Sequence, residues 1–193
     1  AGKGSGGGFL RDLGSHLVDQ ALQLFGPVTR VYAELDYRQP GQVFDNGFFI
    51  SLTHASGVLS HLGGSCLQNA PRPRFRVSGT GGCYTVEGLD GQEAQALAGL
   101  SPATEGERWG SEEHRRWGWF EQGSERERVA SERGCWMAFY QRLQTALQGV
   151  GPLPVEARDA LATTRILDAA RLSAEQGEVV VLATSVGHGI KNE

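Results

Sequence analysis

Three ionisable side chains near the start of the chain, Asp12, His16 and Asp19, are spaced at i, i+4 and i+7. In an α-helix this spacing places all three on one face, because 3.6 residues complete a turn. Two carboxylates flanking an imidazole would fix its tautomer and favour its protonated form, which is how a general base for near-neutral pH is made. A hydrated, solvent-facing helix stripe would have the same spacing, and the pattern leaves both interpretations open.

A glycine-rich segment precedes these side chains. Residues 2–7 match the GxGxxG pattern of dinucleotide-binding loops. That loop functions between a strand and a helix, with an acidic residue after a second strand to hold the ribose, and no strand pattern precedes Gly2. The segment is therefore interpreted as a flexible or ligand-facing loop, in which Gly7 and Gly8 let the backbone approach a ligand closely.

The sequence does not favour hydrolytic or metal chemistry. Ser15 adjoins His16, but neighbouring residues of a helix point about 100° apart, so this pair cannot form the usual serine–histidine arrangement. No GxSxG motif occurs, and the 5 histidines and 3 cysteines show no zinc-ligand spacing. No metal site is predicted.

Length and composition bound the class of protein. A chain of 193 residues is long enough for one domain with a core and short for two. The formal net charge of −4 does not favour binding to the negatively charged backbone of nucleic acid. No apolar run approaches the roughly 20 residues of a membrane span. Three widely spaced cysteines without a CxxC pair indicate free thiols in a reducing compartment, so a cytoplasmic protein is expected.

Hydrophobic periodicity predicts a first helix over about 10–25, which Gly26 and Pro27 end. Gly14 inside it indicates either close packing or a later start at Ser15. The expected apolar stripe comprises Leu13, Leu17, Ala21, Leu24 and Phe25.

Alternating apolar and polar residues predict strands beyond that helix, over about 31–38, 43–53, 57–67, 74–78, 83–87, 115–121 and 125–131. Short turns between successive strands imply antiparallel pairing. Later elements are predicted as a short helix over 92–97, long helices over about 134–148 and 155–175, and an apolar strand over 178–183. The apolar stripes of the two long helices, including Trp136, Phe139, Leu161 and Leu167, are expected to be core.

Residues 6–19, GGGFLRDLGSHLVD, resemble the GGGxxxDxGxHxxD motif of the glucose–fructose oxidoreductase / inositol dehydrogenase family. Residues 75–84 and 88–93 resemble the GTxGSY and GLDxQE segments of one bacterial branch, and Trp109-Gly110 fits that branch too. The resemblance extends to about residue 183.

The family resemblance implies a two-domain parent protein. Family members join an N-terminal Rossmann domain, which binds NAD(P) and carries a catalytic lysine in a Glu-Lys-Pro motif, to a C-terminal substrate-binding domain. This chain resembles only the C-terminal domain and contains no Glu-Lys-Pro.

Residues 1–183 are thus expected to be a C-terminal substrate-binding and oligomerisation domain, followed by a tail over 184–193. NAD or NADP would be bound mainly by the N-terminal domain. The expected fold class is α+β, with a large, mostly antiparallel open sheet and about three helices packed on one face.

The resemblance also assigns roles by position. His16 would be the general acid/base that takes a hydroxyl proton, and Asp12 would bind substrate hydroxyls. Asp19, Gly7 and Gly8 would contribute to the substrate site, for a sugar- or polyol-like compound oxidised at a CH–OH group. The alternative is a non-catalytic binding or dimerisation module that uses the open sheet face. In either case a homo-oligomer through that face is expected. Neither nucleic acid nor a membrane is expected as a partner.

Overall fold

The computed structural model describes residues 7–38, 40–70 and 72–183. The chain divides into two compact units, one formed by the residues up to Gln68 and from Val155 onward, and the other by Asn69–Pro154. The helices are α1 (Phe9–Phe25), α2 (Gln92–Leu97), α3 (Pro102–Glu105), α4 (Met137–Leu147) and α5 (Ala157–Gln176). The strands are β1 (Val28–Asp36), β2 (Gly47–His54), β3 (Leu59–Ser65), β4 (Phe75–Gly79), β5 (Gly82–Val86), β6 (Gly118–Gln122), β7 (Glu125–Val129) and β8 (Val180–Val181).

The predicted α+β class with open antiparallel pairing is confirmed. The strands are divided between two four-stranded sheets, of order β3-β2-β1-β8 and β4-β5-β6-β7, and every pairing is antiparallel. The division falls between β3 and β4, where Pro73 has no N–H with which to continue a ladder. Of the three long helices, α1 and α5 pack on one face of the first unit's sheet, and α4 belongs to the second unit.

Alternation along the strands builds the core of the first unit. In β2, Phe48, Ile50 and Leu52 are buried, whereas Phe49 between them points to the opposite, open face. The buried side chains of the two helices and the sheet form one cluster: Leu10, Val18, Ala21, Val28, Val31, Ala33, Phe48, Ile50, Leu52, Ile166, Leu167, Ala169 and Ala170.

The core face of α1 differs from the predicted stripe. Its buried residues are Leu10, Gly14, Val18 and Ala21, while Leu24 is 56% exposed. A Cβ at Gly14 would lie 3.2 Å from Cδ1 of Leu10 and 3.5 Å from Cδ2 of Leu167 on α5. Gly14 therefore marks close helix packing, and the helix begins before it, at Phe9.

The last strand, β8, is shorter than predicted because a side chain takes over its hydrogen bonds. The hydroxyl of Ser173, on α5, accepts a hydrogen bond from the Ala33 N–H at 3.0 Å and donates one to the Glu178 carbonyl at 2.5 Å. Ladder pairing of β8 with β1 covers Val180 and Val181, and beyond it the Leu182 N–H donates to the Thr29 carbonyl at 2.8 Å. The buried Ser173 side chain thus satisfies polar backbone groups where the ladder stops.

A buried histidine joins the end of α1 to the sheet. His54 is 1% exposed, and its Nδ1 lies 2.7 Å from the Gly26 carbonyl oxygen. A carbonyl oxygen only accepts, so Nδ1 carries the proton and donates. Nε2, 2.8 Å from Oγ of Ser60, then accepts a hydrogen bond from that hydroxyl.

The second unit is organised around Gln92, whose side chain is fully buried. Its Oε1 accepts hydrogen bonds from the Trp109 indole N–H at 3.1 Å and the Trp136 backbone N–H at 2.9 Å. Its Nε2 donates to Oδ1 of Asp90 at 3.0 Å, and a Cβ at Gly134 would lie 2.5 Å from that nitrogen. One amide therefore connects three separate stretches of chain.

The apolar stripe of α4 is not core, contrary to the sequence-based expectation. Trp136, at the helix N-cap, Tyr140 and Leu147 are 51%, 62% and 77% exposed. The helical periodicity correctly indicated an apolar face. Burial also requires a packing partner, and the part of the chain that the structure describes leaves this face open.

We predict that Gln92→Leu destabilises the second unit, because two partly buried N–H donors lose their acceptor, at up to about 1–3 kcal/mol for each. All 4 tryptophans lie within Asn69–Pro154, so urea unfolding followed by tryptophan fluorescence reports on this unit. The control is Gln144→Leu on the exposed side of α4, with an expected change within about 0.5 kcal/mol. Equal unfolding midpoints for both variants would contradict the role of Gln92.

Candidate functional site

The three ionisable residues lie on the open face of α1. Asp12 and His16 are exposed and Asp19 is half-buried, and the helix turns the opposite side, from Leu10 to Ala21, into the core. The predicted helix and common face are therefore present. Within the described residues, no hydrogen bond joins these three side chains to one another. Asp12 and His16 are thus accessible to a ligand approaching from solvent.

The glycine turn before the helix requires glycine at position 8. Gly8 has φ of +105°, a conformation that side-chain-bearing residues rarely adopt, and a Cβ there would lie 2.0 Å from Oδ1 of Asp45. A Cβ at Gly7 would lie 2.7 Å from Cε1 of Phe44. The backbone of residues 7–8 therefore passes directly against the Phe44-Asp45 segment.

Asp45 supplies the cap that α1 lacks locally. The N-cap residue, Gly8, has no side chain to cap the helix. Instead, Oδ2 of Asp45 accepts a hydrogen bond from the Leu10 N–H at 2.6 Å, and the Asp45 carbonyl accepts one from the Phe9 N–H at 3.1 Å. The first N–H groups of a helix have no acceptor within the helix. Asp45, 35 residues after Leu10, supplies acceptors for two of them.

The sequence analysis did not identify this role of Asp45. The Asp45-Asn46-Gly47 stretch reads locally as a turn or bulge. The available signal was indirect: the first helix has no Ser, Thr, Asp or Asn at its N-cap, so its first N–H groups need an acceptor from elsewhere.

Asp45, which is 5% exposed, interacts electrostatically with the Tyr37 phenol. Burial raises the pKa of the Tyr37 phenol, and the negative charge of Asp45 raises that pKa further. Arg171 acts in the opposite direction and Glu175 in the same direction as Asp45. The Tyr37 phenol, which follows β1, therefore senses both the Asp45 carboxylate and charged side chains of α5.

An ion pair also joins the first turn of α1 to α5. Nη2 of Arg11 lies 2.5 Å from Oδ1 of Asp168 on α5. The Asp168 side chain is 60% exposed, so solvent screens the attraction, and such pairs contribute about 0–1 kcal/mol.

Two kinds of site are not found among the described residues, a metal-ligand cluster and a dinucleotide-binding fold. They contain no group of three or more His, Cys, Asp or Glu side chains that could hold a metal ion. All strand pairings described are antiparallel, so the parallel βαβ unit of a dinucleotide fold is not found in 7–38, 40–70 or 72–183. Gly2 to Gly6, most of the GxGxxG pattern, lie outside the described residues. No described helix is long and apolar enough to cross a membrane.

We predict that Gly8→Ala is more destabilising than Gly26→Ala. Both glycines flank α1 with positive φ, +105° and +79°, but a Cβ at Gly26 meets nothing within 4 Å. Strain alone costs about 1–3 kcal/mol at either position, and the contact with Asp45 adds to it only at Gly8. Chemical denaturation monitored by circular dichroism measures both changes, and equal losses would show that Asp45 does not press on Gly8.

Comparison with known proteins identifies the family. Residues 1–85 match the family model of the GFO/IDH/MocA C-terminal domain. The chain is 29% identical over 184 residues to scyllo-inositol 2-dehydrogenase (NADP(+)) IolW of Bacillus subtilis, covering 93% of this chain and 51% of that protein. It is 31% identical over 183 residues to the uncharacterized oxidoreductase YdgJ of Escherichia coli, covering 93% and 52%.

Solved structures agree with these sequence matches. A candidate oxidoreductase from Bacteroides fragilis superposes with a TM-score of 0.81 at 36% identity, over 91% of this chain and 54% of that one. YvaA of Bacillus subtilis gives a TM-score of 0.84 at 28% identity, over 93% and 52%. The chain spans about half the length of the curated relatives it matches. The chain belongs to the GFO/IDH/MocA family of oxidoreductases and carries the C-terminal domain of that family.

Proposed function

We propose that this chain is the substrate-binding and catalytic-base half of an NAD(P)-dependent oxidoreductase. Its reaction moves a hydride between nicotinamide and a CH–OH group of a sugar- or polyol-like compound. The observation that carries the proposal is the open face of α1, where Asp12 and His16 are exposed behind a closely held glycine turn. The name of the Bacillus subtilis relative, an inositol dehydrogenase, supports a polyol substrate.

His16 is the proposed general acid/base. When an alcohol is oxidised, its hydroxyl oxygen loses a proton as the carbinol carbon loses a hydride, and the bound nicotinamide supplies the hydride acceptor. The His16 imidazole accepts that proton, and in the reverse direction it returns the proton to the carbonyl oxygen. The exposed ring on a rigid helix leaves room for a substrate hydroxyl within hydrogen-bonding distance.

The neighbouring residues would orient the substrate. Asp12, one turn before His16, accepts hydrogen bonds from substrate hydroxyls, for which a carboxylate with no described partner is suited. Asp19, half-buried one turn after His16, would contribute to the substrate site. Gly7 and Gly8 present backbone without side chains, so they form a wall close to the substrate or nicotinamide.

The rest of the assignment follows from this role. We propose that residues 1–183 act as the C-terminal domain of a two-domain protein. The tail expected over 184–193 lies outside the described residues. NAD or NADP would be bound mainly by an N-terminal domain outside this chain. The three cysteines, Cys66, Cys83 and Cys135, are free thiols, which supports a reducing compartment such as the cytoplasm.

We predict that His16→Ala lowers kcat by about 10²- to 10⁴-fold, the usual contribution of a positioned general base. The assay joins this chain in frame to the coding sequence upstream of Ala1 and follows NADH and NADPH absorbance with inositols and related polyols. The matched control is His114→Ala, which removes an exposed imidazole from the second unit. Unaltered turnover after His16→Ala would remove His16 from the reaction, and a parent without dinucleotide binding would remove the proposed function.

A second, compatible candidate is self-association through the open face of the first unit's sheet. Phe49, Leu59 and Val181 are 41%, 63% and 73% exposed, and the strand alternation and register place them on the face opposite α1 and α5. The Phe49 ring also contacts His61 on the adjacent strand, with centroids 5.8 Å apart. Large exposed apolar groups on one face favour a protein partner, and we propose a second copy of the chain.

We predict that the wild-type protein is at least a dimer and that Phe49→Glu with Leu59→Glu makes it monomeric. Two charges in a buried apolar interface would lack partners and be desolvated. Light scattering after size-exclusion chromatography measures the mass. The control is Leu161→Glu, an equally exposed apolar residue on α5. A wild-type protein that is strictly monomeric at high concentration would contradict this proposal.

A further inference from the structure

We infer that Asp45 is a positioning residue for the proposed site, which fixes the first turn of α1 and thereby holds the glycine turn and Asp12 against the substrate. This inference rests on the proposed function. Asp45 lies outside the motif of residues 6–19 and would not touch the substrate, because its carboxylate is buried against the helix N-terminus.

The Phe44-Asp45 segment holds the glycine turn at successive points. The Phe44 ring covers Gly7, the Asp45 carboxylate fills the space beside Gly8, and two Asp45 oxygens accept the Phe9 and Leu10 N–H groups. Each of these contacts constrains backbone, so the path of the turn depends on where residues 44–45 lie.

The sheet in turn fixes Phe44-Asp45. The N–H of Asn46 donates to the Asp36 carbonyl at 2.8 Å, and the Asn46 carbonyl accepts from the Cys66 N–H at 2.9 Å. The Asn46 side chain also accepts a hydrogen bond from the Arg38 N–H at 3.3 Å. Asp45 therefore sits in a bridge between the ends of β1 and β3, and it transmits the position of the sheet to the start of the helix.

The electrostatics favour a carboxylate at this position. The unpaired N–H groups at a helix N-terminus carry a partial positive charge, which a nearby anion stabilises. The resulting hydrogen bond to Leu10, at 2.6 Å, is short for an N–H donor, and a charged acceptor shortens such bonds. An asparagine at position 45 would keep an acceptor oxygen but lose the charge.

Asp12 depends on this anchor more directly than His16 does. The Asp12 N–H donates to the Gly8 carbonyl at 3.1 Å, so the carboxylate stands one turn from the anchored glycine. His16 is a turn further on, between Gly14 and Val18, which pack in the core without help from Asp45. Loss of the anchor should therefore impair substrate binding by Asp12 more than proton transfer by His16.

The test compares Asp45→Ala and Asp45→Asn in the joined two-domain protein. We expect Asp45→Ala to raise KM about 10- to 100-fold with a much smaller fall in kcat, since loss of a substrate hydrogen bond to a charged group such as Asp12 lowers affinity by about this factor. Asp45→Asn should recover most of the loss, because it restores an acceptor for the Leu10 N–H. Asp168→Asn is the control, because it removes the ion pair with Arg11 on the same helical turn but no backbone anchor.

Hydrogen exchange provides a readout that does not depend on activity. Asp45→Ala should accelerate amide exchange at Phe9 and Leu10, and Asp168→Asn should leave these amides protected. Unchanged exchange at Leu10, or an unchanged KM in folded Asp45→Ala protein, would overturn the inference. Failure of the proposed function would give a different result from failure of this inference. His16→Ala would then retain full turnover, while amide exchange at Leu10 would still respond to Asp45→Ala.

Discussion

The first unit depends on how the N-terminus of α1 obtains hydrogen-bond acceptors. A glycine at the N-cap leaves the first N–H groups without a local acceptor, and these groups are costly to leave unpaired when buried. The buried carboxylate of Asp45 meets this requirement at 2.6 Å. One interaction therefore joins the only stretch that carries the candidate chemistry to the sheet that supports it, and it requires Gly8 in a conformation that other residues rarely adopt.

Close packing completes the support of the helix. A Cβ at Gly14 would approach both Leu10 and α5, and a Cβ at Gly64 on β3 would lie 2.6 Å from Cδ2 of Leu13. The two glycines let α1 approach α5 and the sheet with little free space, and tightly packed interiors resist displacement. Rigidity on the inner face contrasts with the open outer face of α1, where Asp12 and His16 have solvent around them. Rigid support of exposed polar groups is the arrangement that precise substrate orientation requires.

The second unit follows a different physical logic, since its centre is a polar side chain. Gln92 uses both ends of its amide to join Asp90, Trp109 and the backbone of Trp136. A fully satisfied buried amide specifies one arrangement of its neighbours, because any other would leave donors or acceptors unpaired. This network gives a structural reason for the GLDxQE-like segment and for Trp109-Gly110, which in sequence are only marks of a bacterial branch.

The sequence alone determined the local elements and the residues that could do chemistry. The periods of 3.6 and 2 residues located α1, the strands and the common face of Asp12, His16 and Asp19, because these patterns are encoded by neighbours in the chain. The tertiary structure decided which faces are covered: Leu10, Gly14 and Val18 are buried, whereas the apolar face of α4 is open. It also decided that Ser173 replaces ladder pairing just before β8 and that Asp45 caps a helix 35 residues away. Such contacts depend on where distant segments meet, and local periodicity does not carry that information.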